Sequence, residues 1–169
     1  MATLALNGGT PTRNRPWPRW PQWDEHEERR LLETLRGDDW GGFTPVVGEF
    51  EHAFARRHGA TYGIAGVNGT QTLLAVLMAA GIGAGDEVIV PPYPFIATAS
   101  AVRLVGATPV FADVEADTYN IDPAAVEAAI TPRTRAIIPV HFAGQAVDMD
   151  RLAPLAQRRN LLLIEDAAH

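Results

Sequence analysis

Asp166 stands just beyond the aliphatic run Leu161-Leu162-Leu163-Ile164, separated from it by Glu165, with His169 three residues after it. A carboxylate at the mouth of a sheet can hold the protonated ring nitrogen of a heterocycle such as a pyridoxal, keeping the ring an electron sink. The plainer alternative is a pair of solvated acids or a cap for a following helix. Far upstream, Asn68-Gly69-Thr70-Gln71-Thr72 joins an apolar run to a helical pattern. The free N–H groups of a helix start, backed by the positive end of its dipole, make an anion site. Gly69 lets a phosphate approach the backbone and Thr70 adds a hydroxyl donor, although a plain N-cap by Asn68 or Thr70 fits at least as well. Phe95 opens another helix, where an aromatic can stack on a flat ring or simply pack into a core. His141, Asp166, His169 and Asp113 offer a second chemistry, metal binding, but without the short ligand spacing of a defined site. No Walker lysine or dinucleotide fingerprint is present. Gly81-Ile82-Gly83-Ala84-Gly85-Asp86 follows a helix and precedes a strand, the wrong order for a phosphate loop, and reads as a turn.

Alternating helical and strand patterns must position these residues. Helices are expected at 24–36, capped by Asp24 and striped by Leu31, Leu32 and Leu35, and at 45–58, where Val47, Phe50 and Phe54 recur at helical spacing. Buried strands are expected at 62–67, 87–90, 108–112, 136–140 and 161–164. Helices at 70–80, 95–105, 123–130 and 151–159 separate them, the last starting near Asp150 because Pro154 would break a longer one. Solid apolar strands between helices call for an α/β fold with a mainly parallel sheet and helices on both faces. Such sheets bind ligands at the carboxyl ends of their strands, the edge on which all the residues above fall. The segment 10–23, with four prolines and three tryptophans, Trp17, Trp20 and Trp23, is expected as an extended arm docked through its aromatics on the domain or on a second subunit.

Composition narrows the partners. The chain has 169 residues, 47% hydrophobic and 20% charged, with a net charge of -6. It carries no broad positive field for nucleic acid or an anionic membrane. Cysteine is absent, and apolar runs stop well short of a membrane span, so a cytoplasmic protein is expected. All 14 basic residues are arginine; there is no lysine. The abrupt close on a strand and a few polar residues reads as a cut within a longer protein.

In order and content, these segments resemble the DegT/DnrJ/StrS family of sugar aminotransferases, fold type I pyridoxal-phosphate (PLP) enzymes. The resemblance is carried by Pro16-Trp17-Pro18-Arg19-Trp20-Pro21, Val67-Asn68-Gly69-Thr70, Gly81 to Pro91, and Gly106-Ala107-Thr108-Pro109-Val110-Phe111. It continues through Ala129-Ile130-Thr131-Pro132-Arg133-Thr134, Ile137-Ile138-Pro139-Val140-His141 and Ile164-Glu165-Asp166-Ala167-Ala168-His169. It implies an aspartate aminotransferase-like large domain, incomplete here over 45–169, preceded at 1–44 by the arm, first helix and turn. It also implies pyridoxal 5'-phosphate as cofactor, with Gly69, Thr70 and Gln71 at its phosphate, Phe95 stacked on its ring, Asp166 at its ring nitrogen and His169 beside its ring hydroxyl. The reaction implied takes an amino group from an amino acid donor to a keto sugar or related acceptor, in a homodimer. The family's Schiff-base lysine lies downstream of the last motif, so residues 1–169 alone are expected to be inactive. Three alternatives stay open: a non-catalytic binding module, a metal-dependent hydrolase using His141 and Asp166, and a sugar dehydratase with histidine in place of the lysine.

Overall fold

The structure, a computed structural model, describes residues 3–38 and 40–169. They divide into two compact units, 1–64 and 65–169.

In the first unit, α1 (Glu25–Arg36) opens with a capping box. The Asp24 carboxylate accepts the His26 N–H at 2.7 Å while Glu27 accepts the Asp24 N–H at 2.8 Å. The bond from the His26 amide, then that involving Glu27, holds the Asp24 carboxyl below its usual range. In α2 (Pro45–Arg57) the proline occupies the first turn, where its missing N–H costs nothing. Arg30 and Glu49 pair between the two helices. Their apolar stripes stay open: α1 buries no residue and α2 only Ala55. The arm is likewise open within this unit. Trp17, Trp20 and Trp23 are 79%, 91% and 65% exposed, and Trp17 is faced by the Arg13 guanidinium at 4.2 Å. A proline-rich extended segment has no core of its own in which to bury indoles.

The second unit runs α3 (Gly69–Ala79), β1 (Glu87–Val90), α4 (Ile96–Leu104), β2 (Thr108–Phe111), α5 (Pro123–Ala129), β3 (Thr134–Ile137), α6 (Met149–Arg158), β4 (Leu162–Leu163). The strands form one parallel sheet in the order β2-β1-β3-β4. Because side chains alternate along a strand, Val88, Val90, Ala136 and Ile138 pack on one face with Leu73 and Leu77 of α3 and Ala101 and Val102 of α4. Ile89 and Ile137 pack on the other with Val126 of α5 and Leu152 and Leu155 of α6. Helices thus cover both faces, the architecture the solid apolar strands require. Gly81 and Gly106 close α3 and α4 with φ of +68° and +84°, a left-handed turn that a side chain would strain.

Three expectations need correction. Residues 62–67 form no strand, and Tyr62, Ile64 and Val67 are more than 80% exposed. An apolar run becomes a strand only when another strand completes its ladder, and no described strand lies against this one. The strand expected at 136–140 is shifted to 134–137, because Pro139 has no N–H for the ladder. Its carbonyl still accepts from Asp166 N–H at 2.9 Å, and an isolated bridge pairs Val140 with Asp166. Helix α6 starts at Met149, ahead of the expected position, with Pro154 inside it. The proline leaves a single carbonyl near the helix start without its donor, and the burial of Leu152, Leu155 and Ala156 on the sheet overrides that cost. Among the described residues no helix is long and apolar enough to cross a membrane.

Candidate functional site

Period-two alternation sets where the last segment's side chains go. Ile164 packs with the α3/α4 core and Leu163 with the α5/α6 core. Asp166, two residues past Ile164, therefore lies on the α4 side, and Glu165 on the other. The hydrogen bonds agree. Thr98 Oγ1, in the first turn of α4, donates to Asp166 Oδ2 at 2.8 Å, and Ala168 N–H donates to Oδ1 at 3.3 Å. The Asp166 backbone is held as well: its N–H donates to Pro139 and its carbonyl accepts from His141 N–H at 3.1 Å. Half-buried, with one bond to each oxygen, this carboxylate is neither freely solvated nor the cap of a described helix.

His141 is committed elsewhere. Val147 N–H donates to its Nδ1 at 3.1 Å, which leaves the ring hydrogen on Nε2 to be donated to Glu165 Oε2 at 2.8 Å. With both ring nitrogens engaged, His141 has no lone pair for a metal. Among the described residues no group of three or more His, Asp or Glu could share one.

Phe95 is the N-cap of α4, not its first helical residue, and is 66% exposed. It stands three residues before Thr98, so the helix that holds Asp166 also presents an open aromatic face nearby. His169 accepts the Ala143 N–H on Nδ1 at 3.1 Å, which leaves Nε2–H as a free donor. At the start of α3 both readings of the motif apply, to different groups. Asn68 caps the helix by accepting the Gln71 N–H at 3.0 Å, which removes that amide from any ligand. The N–H groups of Gly69 and Thr70 donate to no partner among the described residues, and a side chain added at Gly69 would meet open space. α3 packs along α4 through Leu73, Leu77, Ala101 and Val102. No hydrogen bond or ring contact joins its first turn to Asp166 among the described residues.

Two features escaped the sequence reading. Thr98 is one; its only signal is a hydroxyl on the apolar stripe that continues through Ala101 and Val102. The other is an aromatic cluster. Tyr93 meets Phe142 at 4.9 Å and Tyr119 at 6.0 Å, and Phe142 meets His169 at 6.0 Å. Tyr119 and Ala143 adopt left-handed φ of 59° and 52°, backbone that non-glycine residues rarely take and that concentrates at functional sites.

The donor set fits a flat heterocyclic phosphate. Two free amides and open space at Gly69 suit the phosphate, the Phe95 face suits the ring, and Asp166 retains acceptor capacity for a ring N–H.

Residues 21–169 match the DegT/DnrJ/EryC1/StrS aminotransferase family. The chain is 44% identical over 171 residues to L-glutamine:2-deoxy-scyllo-inosose aminotransferase of Streptomyces kanamyceticus, covering 98% of this chain and 40% of that protein. It superposes on 3-amino-5-hydroxybenzoic acid synthase with a TM-score of 0.86 at 44% identity, covering 93% of this chain and 41% of the other. On NtdA of Bacillus subtilis with bound cofactor PMP the TM-score is 0.77 at 36% identity, with 85% and 34% covered. The chain spans about 40% of the length of the curated relatives it matches. With the same parallel sheet and a match over most of its residues, the chain belongs to the DegT/DnrJ/EryC1/StrS aminotransferase family.

Proposed function

We propose that this chain is the cofactor-binding N-terminal part of a cytoplasmic, homodimeric, pyridoxal-phosphate-dependent aminotransferase. Its acceptor is a keto cyclitol or keto sugar, the class named for the relative from Streptomyces kanamyceticus, whose amino donor is glutamine. The observation that carries the reading is Asp166 at the carboxyl edge of the sheet, its carboxylate held by Thr98 and its main chain bonded to Pro139 and His141.

When bound, pyridoxal phosphate supplies an electron sink for proton removal next to the transferred nitrogen. The chain's own residues bind and orient. The free amides of Gly69 and Thr70, with the Thr70 hydroxyl and the Gln71 side chain, hold the phosphate at the positive end of α3. Phe95 covers one face of the ring and excludes water from it. Asp166 holds a proton on the ring nitrogen by accepting its hydrogen bond, and His169 offers Nε2–H to the ring hydroxyl. No residue of 1–169 can carry the cofactor covalently through a lysine, because the chain has none. We therefore assign it no turnover alone.

Titrating full-length apoenzyme with pyridoxal phosphate, then adding glutamine or glutamate with a keto cyclitol, tests the reading. One cofactor per subunit and transfer of the donor nitrogen to the acceptor are expected. A full-length protein that takes up no cofactor would sink it.

A further inference from the structure

Four polar side chains are buried among the described residues: Glu87, Thr98, Asn120 and Thr134. Three of them tie the scaffold together. Glu87 binds Thr131 and Arg133, Asn120 binds the backbone of Phe142, Gln145 and Ala146, and Thr134 binds the Thr131 amide. Thr98 is different, because its hydroxyl goes to the candidate acid. It is 1% exposed and lies on the same stripe of α4 as Ala101 and Val102, where an apolar residue would pack as well. A lone hydroxyl on an apolar face needs a partner. Here that partner lies 68 residues away in sequence.

We propose that Thr98 is a positioning residue for the reaction, resting on the cofactor reading above: its hydroxyl locks the rotation of the Asp166 carboxylate so that one oxygen stays turned toward the cofactor's ring nitrogen. A carboxylate rotates about a soft terminal torsion and has two equivalent oxygens. The Ala168 amide alone, at 3.3 Å, is a long restraint on Oδ1. Thr98 engages Oδ2 from a rigid helix pinned to the sheet, and leaves Oδ1 with unused acceptor capacity. Phe95, the proposed ring-stacking residue, caps the same helix. The first turn of α4 thus sets both a ring face and the acid's orientation, and a displacement of one moves the other.

The test uses the full-length enzyme, with kcat, donor KM, the dissociation constant of pyridoxal phosphate from apoenzyme titration, and the melting temperature read together. Thr98→Val is expected to lower kcat about tenfold, the scale of losing one hydrogen bond to a charged group. It should leave donor KM unchanged and weaken cofactor binding several-fold. Thr98→Ser should restore both, and Thr98→Val should change nothing further in an Asp166→Ala background. Should the valine variant not fold, Thr98→Ser against Thr98→Ala, which differ in the hydroxyl, carries the comparison. Wild-type kinetics and cofactor affinity in the hydroxyl-free variant would overturn the proposal. So would serine and valine variants equally impaired, since the methyl contact would then matter and not the hydroxyl. If Asp166→Ala itself left turnover and cofactor affinity intact, the cofactor reading would fail, a result distinguishable from failure of the positioning role alone.

Discussion

At the scale of single residues, the proposed cofactor chemistry divides between a group that orients charge and groups that hold the ligand. Asp166 is proposed for the first kind, since its carboxylate is held by Thr98 and Ala168 with acceptor capacity left for a ring N–H. In the full-length enzyme Asp166→Ala is expected to cut kcat about a hundredfold or more, the loss typical of removing one preorganised electrostatic partner. Thr70→Ala removes a donor made equally to the resting and reacting cofactor, so it should weaken cofactor binding and leave kcat at saturating cofactor nearly unchanged. Steady-state kinetics across a pyridoxal-phosphate series would separate the two, and the opposite pattern would reverse the assignments. The types at 69–71, 95, 166 and 169 were legible as candidates because phosphate cradling, stacking and ring-nitrogen pairing each need a characteristic residue. Thr98 was not, because a threonine within an apolar helix stripe carries no local sign of a partner 68 residues on.

At the scale of elements, the two ends of the sheet do different work. The carboxyl ends carry the candidate site, while the amino end of β1 holds Glu87, 5% exposed and bonded to Thr131 and Arg133. The Thr131 hydroxyl first, and the Arg133 guanidinium next, hold the Glu87 carboxyl below its usual range. With the folded pKa below the unfolded one, the unfolded state binds more protons in acid. The stabilisation is then fully present above the unfolded glutamate value of about 4.3 and is lost as pH falls through the lower folded value. Glu87→Gln should therefore melt at a lower temperature than wild type at pH 7, and the two curves should converge as the pH drops below about 4. Cofactor affinity should not change, since Glu87 is at the opposite edge from Asp166. Thermal melts from pH 3 to 8 check this, and a gap that widens in acid would refute it. Element types were readable from periodicity and caps: Asp24, Asn68 and Asp122 cap the helices that follow them, whereas Asp148, passed over for a start near Asp150, caps the last. The boundaries at Pro139 and Pro154 were not, because whether a missing N–H ends an element depends on what the rest of that element buries.

For the whole molecule, the decisive fact is compositional. With no lysine in 169 residues, the chain lacks the side chain that forms the covalent link to pyridoxal phosphate in the family it resembles. Residues 1–169 purified alone, mixed with pyridoxal phosphate and glutamine or glutamate, should show no amino transfer to a keto acceptor and no cofactor that survives dialysis. Turnover by the isolated chain would overturn the assignment. The sequence by itself determined the class of fold, since runs buried on both sides have no stable home except a covered parallel sheet. It also determined the carboxyl edge as the place to look, and the inventory of chemical groups there. Only the tertiary structure decided that 62–67 is no strand, because ladder bonds need a partner that a local pattern does not reveal. It alone separated Glu165 from Asp166, sending one to His141 and the other to Thr98, because strand alternation fixes opposite faces but only packing says what waits on each. And it alone found the aromatic cluster of Tyr93, Tyr119 and Phe142 beside His169, whose members come from three separate loops and meet only when the sheet has formed.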